Sequence, residues 1–191
     1  WNSSIQASGG DVDFFTNQEM VDNLYYDFYH MDSSDINTML HLVDIKLKMK
    51  EYDSAEILGK KELALVKNDI LQHYSTRNKD TDKRNYLANS YSSISKVAVA
   101  KEEWQKAINY LDSAAIEIRK IDKNMMFFNF DKRLKRNQCK KARLQRKNKQ
   151  AAAALLTYEA LYREIQDTTI LDSIKVLFEE QDQVQDFEKY A

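Results

Sequence analysis

Apolar residues recur every three or four positions along most of the chain, the period of a helix with one buried face. The pattern predicts helices at about residues 14–31, with Met20, Leu24 and Phe28 or else Val21, Tyr25 and Phe28 inward, and 36–50, with Ile36, Met39, Leu40, Val43 and Leu47 inward. A third helix is expected over 54–74, on Ala55, Leu58, Leu63, Val66 and Ile70, followed by a polar loop at 75–82 (STRNKDTD). Helices at 83–101 and 103–121 come next, then a basic helix reaching residue 148 and an alanine-rich one over 149–165. The last, from Thr168 or Thr169 to about 190, carries Ile170, Ile174, Leu177 and Val184.

The tightest pattern lies between Tyr91 and Ile118. Two helices meet at a break near 101–103, and Trp104, Ala107, Leu111 and Ala114 fall on one face of the second. Small residues there let a neighbouring helix come close, while Trp104 and Leu111 fill the seam beside them. The chain pairs its helices in the same way at 35–74, 83–121 and 127–165. The matched small positions are Ala55, Ala107 and Ala153 or Ala154, spaced 52 and 46 residues apart if Ala153 is taken. A lone hairpin cannot bury such a face, so the units must stack. The expected fold is all-α: antiparallel hairpins stacked as an α-solenoid over residues 14–168, after a polar leader (1–13) and before a capping or linker helix (169–191).

Composition narrows the picture. Among 191 residues there is no proline and only three glycines, which excludes a fold made of many tight β-turns. An apolar share of 43% excludes a disordered chain, and 31% charged residues suit helices with solvated outer faces. Cys139 is the only cysteine, so neither an internal disulfide nor a paired-cysteine zinc site can form. The three histidines show no metal-ligand spacing, and the glycines cannot build a phosphate loop. No metal, cofactor or catalytic residue is expected, and no run of 18 apolar residues suggests a membrane span.

At these positions the chain resembles the tetratricopeptide repeat (TPR), a helical hairpin that stacks into a superhelix. Tyr91, Ile94 and Ser95 match its first-helix positions; Trp104, Ala107, Leu111 and Ala114 match its second-helix aromatic and alanine positions. In the first unit Tyr52 and Ala55 match, while Gly59 stands where a bulky residue is expected. The closing proline is absent and the spacing exceeds the repeat's period. The resemblance implies a non-catalytic module that binds a protein or peptide in a groove lined by first helices. It maps that groove to Asn37, Asp44 and Lys48, to Asn89, Ser92 and Lys96, and to Lys135, Gln138 and Arg146. The mostly cationic set suits an extended or acidic peptide. The ending, residues 158–181, looks like the sensor regions of membrane-anchored regulators in Bacteroidota. That second resemblance implies a sensory or scaffolding part of a larger bacterial regulator, with self-association through 169–191 an option. It leaves localisation open between the periplasm, which it favours, and the cytoplasm.

Net charge is −1, but ten Lys or Arg and no acid fall between residues 132 and 149. Lys132, Arg133, Arg136, Lys140, Lys141, Arg143, Arg146 and Lys147 could form a patch for nucleic acid or an anionic surface. No aromatic interleaves with them, as single-strand stacking would want. The other reading is structural: residues 159–191 hold nine acids and could face the basic helix. Cys139, inside the run, would have its thiol pKa lowered by these cations; as a lone cysteine it reads as a small packed residue.

Overall fold

The computed structural model describes residues 36–68, 79–123 and 129–180. The expected leader, the helix at 14–31 and the end of the last helix, with Val184, lie outside them. The described chain forms seven α-helices: α1 (Ile36–Lys48), α2 (Tyr52–Lys67), α3 (Lys79–Ala100), α4 (Trp104–Arg119), α5 (Phe130–Lys147), α6 (Ala151–Ile165) and α7 (Thr169–Glu180). Each packs on the next, and α1 also touches α3. This is a stack of three hairpins, α1–α2, α3–α4 and α5–α6, with α7 on the end. Two helices differ in their bounds from the sequence expectation: α2 runs Tyr52–Lys67 where 54–74 is expected, and α3 starts early. The first residues of α3, from Lys79 to Asp82, were expected in the loop, but Asp80 and Asp82 occupy its first turn, where acids favour the positive end of the helix dipole.

The three hairpin turns are copies of one another although none contains glycine or proline. Lys50, Glu102 and Lys149 all adopt left-handed backbone, with φ of 61°, 59° and 58°. The amide after each reaches back to close the preceding helix: Glu51 N to Lys46 O at 2.9 Å, Glu103 N to Ala98 O at 2.8 Å, Gln150 N to Gln145 O at 2.8 Å. This is the Schellman closure, which normally recruits glycine because a Cβ is strained at positive φ. All three side chains are exposed and contribute little packing. Replacing Lys50, Glu102 and Lys149 by glycine should therefore stabilise the fold, by about 0.5–1 kcal/mol each. A thermal melt of the triple variant should show a midpoint several degrees higher; an unchanged or lower midpoint would refute the strain argument.

The turns also fix the repeat register. The fourth residue after Glu51, Glu103 and Gln150 is Ala55, Ala107 and Ala154, and each is fully buried. The third small position is thus Ala154 and not Ala153, one place later than the 46-residue spacing implies. At Gly59 the first hairpin departs from the others. A Cβ there would lie 2.9 Å from Ile94 Cγ1, so α2 approaches α3 too closely for the bulky residue expected at that position. On the outer side, Glu56 of α2 accepts from Lys101 (2.6 Å) and Lys106 (2.9 Å) of the next hairpin. Those contacts, Lys101 foremost, hold its carboxyl well below the usual range.

The last hairpin and α7 share the largest core cluster, with Leu134, Ala154, Tyr158, Leu161, Ile170, Ile174 and Leu177 all buried. Asp167 starts α7 by accepting from Thr169 N at 3.0 Å and from Thr169 Oγ1 at 2.7 Å. Lys135 Nζ, 2.5 Å away, is the main reason its carboxyl is held down to about 2.

Candidate binding groove

The first helices of the three hairpins, α1, α3 and α5, line a concave cavity of about 590 Å³. Helix α1 contributes Asn37, Leu40, His41 and Asp44, and α3 contributes Asn89, Ser92, Ser93 and Lys96. From α5 come Arg133, Arg136, Asn137 and Lys140, while Leu111 and Ile118 of α4 close the back. Helical spacing puts each set on one face, because residues three and four apart project together.

Five of the residues mapped from the repeat resemblance therefore meet here: Asn37, Asp44, Asn89, Ser92 and Lys96. Lys48 lines a second, neighbouring cavity on α1 together with His41, Asp44 and Leu47. The third set does not reach the groove. Lys135 turns to the start of α7, where it pairs with Asp167 and bonds Thr169 Oγ1. Gln138 is buried and donates to Asn137 Oδ1 at 2.8 Å. Arg146 is not among the lining residues either. For Lys135 the cause is the one-residue register slip at Ala154, which puts Arg136 in its place: a step of one position rotates a helical side chain by about 100°. The groove face of α5 is Arg133, Arg136 and Lys140, all members of the basic run.

That run is divided among several jobs. Lys141 pairs with Asp112 of α4 at 2.6 Å. Lys147 sits 5.4 Å from the centre of the Trp104 ring. Arg133 donates to Asn85 and, at 2.7 Å, to Asn89, both on α3. Of the acidic C-terminal set, Asp167 meets Lys135. Lys132, Arg136 and Arg143 are exposed. These three and the exposed Lys147 fall on one strip of the helix, so part of the run does form an outward cationic face.

Inside the groove the field is positive. Four cations, Lys96, Arg133, Arg136 and Lys140, face a single carboxylate, Asp44, which Lys96 grips at 2.7 and 3.0 Å. Partial burial, with Arg136 and Lys96 close by, pushes the Lys140 ammonium below its ordinary pKa; burial, with Arg136 beside it, does the same to Arg133. Like charges crowded in a concave surface are what an incoming anion relieves. Two buried polar atoms on the floor, Ser93 Oγ and Asn137 Nδ2, have no hydrogen-bond partner. Both can donate to an acceptor entering the groove.

Two sequence readings need correction or completion. Cys139 is half-buried, and burial raises its thiol pKa against the opposing pull of Arg143 and Lys135; the lowering expected from its cationic neighbours does not occur. Glu62 on α2, which sequence reasoning passed over, is fully buried. It occupies the place in the first hairpin that Ala114 and Leu161 fill in the others, so a charged residue at a matched core position was the signal available. Among the described residues no cluster of three His, Cys, Asp or Glu could hold a metal, and no helix is long and apolar enough to cross a membrane.

No protein-family model matches the chain, and no curated protein matches it. Solved structures do. The kinesin-light-chain TPR-like repeats of Podosopora anserina superpose with a TM-score of 0.62 at 13% identity, covering 90% of this chain and 80% of theirs. The fold is a TPR-like helical repeat. BtubC (BKLC) from P. vanneervenii gives a TM-score of 0.55 at 14% identity over 88% of this chain and 66% of its own. MamA gives 0.50 at 15% identity over 90% and 82%. Against the TPR-like frame the α1/α3/α5 cavity is the concave side of the superhelix, and the second helices α2, α4 and α6 form its outer layer.

Proposed function

We propose that this chain is a non-catalytic protein-interaction module whose concave groove holds an extended, acidic peptide segment. The observation that carries the reading is the charge balance of the groove: four cations from α3 and α5 against one carboxylate that is already paired. The unpartnered donors at Ser93 and Asn137 suit peptide carbonyl or carboxylate oxygens. The TPR-like fold supports the same reading, since such superhelices present elongated concave binding surfaces. The regulator setting suggested by residues 158–181 is part of this proposal. Helix α7 follows the last hairpin directly and buries Ile170, Ile174 and Leu177 against it, so a change in hairpin stacking would reach whatever α7 leads to.

The rival reading, nucleic acid held by the whole basic run, makes a different demand on outward-facing residues. Fluorescence anisotropy with a labelled acidic peptide (alternating Glu and Gly) and with a labelled DNA duplex separates the two. Arg136→Glu with Lys140→Glu should weaken the peptide more than about tenfold. Lys132→Glu with Lys147→Glu, which do not line the groove, should leave it within about twofold. Strong duplex binding lost equally in both double variants would overturn the groove reading.

A further inference from the structure

The wall of the groove conceals a carboxyl group that the peptide-binding reading does not use. Glu62 lies on the inner side of α2, where α2 packs on α1 and α3, and its side chain has no solvent access. Oε1 is 2.5 Å from Ser90 Oγ on α3, and Oε2 has no partner at all. Ser90 Oγ is also 2.9 Å from the Tyr86 carbonyl oxygen. A hydroxyl has one proton and a carbonyl can only accept. With Glu62 ionised, the single Ser90 proton must be shared between Oε1 and the Tyr86 carbonyl; with Glu62 protonated, Ser90 can donate to Tyr86 while Glu62 donates to Ser90. The protonated, neutral form of Glu62 satisfies both contacts in full, and the unpartnered Oε2 leaves a charge there with nothing further to hold it. Gly59, one helical turn earlier, lets α2 approach Ile94 of α3 closely beside the site.

The charged groups that act on Glu62 from the packed elements are Asp44 on α1 and Lys96 on α3. These are the same two residues that form the ion pair across the groove. We infer that Glu62 is a proton switch for the groove: an acidic ligand binds best when Glu62 is neutral, and its binding draws a proton onto Glu62. This rests on the acidic-peptide reading above and adds its regulation. Two effects run in the same direction. Ionised Glu62 places a second negative charge behind Asp44, which repels the ligand. A ligand carboxylate that takes Lys96 weakens the one cation favouring ionised Glu62. Burial already pushes this carboxyl up to about 7, which brings the exchange into the neutral range.

The test is the affinity of the same Glu–Gly peptide between pH 5.5 and 8.5, above the titration of its own carboxylates. His41 is a second titratable group in the groove, so all proteins compared carry His41→Gln. With Glu62 present, affinity should fall about three- to fivefold across this range, the effect of one charge acting at partial screening. With Glu62→Gln it should stay level within about 1.5-fold at the high affinity, a value the amide reaches because it can still bond Ser90. Glu62→Ala, which reproduces Ala114 of the next hairpin, should behave likewise and covers the case in which the glutamine variant folds poorly. Binding with the same pH profile in all three proteins overturns the switch and leaves the groove reading standing. No binding at any pH overturns both.

Discussion

Replacing Leu134 by alanine should cost about 3 kcal/mol, within the range of about 2–5 kcal/mol typical of buried leucines. Leu134 has no solvent exposure and sits in a cluster with Ala115, Ile118, Ala154 and Tyr158, where the two alanines have no side chain to move into the space. Its position makes the loss more consequential than its size. Helix α5 is the most polar helix in the stack, and Phe130, Leu134, Ala142 and Leu144 are its buried apolar residues. It is also the link between α4 and α6, so the third hairpin and α7 depend on it for contact with the rest of the array. In a repeat protein, stability is roughly a sum of units and nearest-neighbour interfaces. A weak interface in the middle should therefore broaden unfolding as well as shift it. Urea denaturation followed by circular dichroism should show a lower midpoint and a reduced slope, whereas Lys132→Ala, on the exposed face, should stay within about 0.5 kcal/mol. A loss below about 1 kcal/mol for Leu134→Ala would mean that α5 is not held by its apolar face.

The hairpins themselves were legible because buried faces at helical period leave a strong trace, and the Trp104–Ala107–Leu111–Ala114 face fixed the middle unit. The turns were not legible in the same way. Lys50, Glu102 and Lys149 carry no mark of left-handed backbone; only the demand that each helix be closed puts them there. That had a direct cost in the groove. The Ala151–Ala154 run offers four interchangeable small residues, and nothing in it says which one meets the neighbouring helix. The turn at Lys149 decides for Ala154, and the one-residue difference exchanges Lys135 for Arg136 on the concave face. In the first two units, where single alanines set the register, the mapped residues Asn37, Asp44, Asn89, Ser92 and Lys96 do share a cavity. Lys135 also shows why a basic run is hard to read from sequence: its counter-charge, Asp167, lies 32 residues away on the far turn.

Glu62 is the clearest departure from the repeat pattern, and its energetic signature should be visible without any ligand. In the folded chain its carboxyl keeps its proton up to about pH 7, chiefly because burial disfavours the charge, with Ser90 opposing. In the unfolded chain it releases the proton near the ordinary value of 4.5. Between those values the folded state binds more protons than the unfolded state, so stability must fall as pH rises through this window. The full contribution is present below pH 4.5 and is lost by the time pH passes 7. The loss is on the order of 3 kcal/mol, at 1.36 kcal/mol per unit of difference. The other perturbed carboxyls act elsewhere: Glu56, Glu117 and Asp167 are lowered, so what they contribute is lost only as pH falls below the ordinary carboxylate range. Chemical denaturation of the native protein should accordingly show a decline from pH 5 to pH 8, and Glu62→Gln should abolish it, leaving the variant the more stable of the two at pH 8. A constant difference between the two proteins across that range would mean that Glu62 is ionised in the fold at pH 5 already. The hydroxyl of Ser90 would then be donating to the carboxylate, and the neutral state that burial favours would not form.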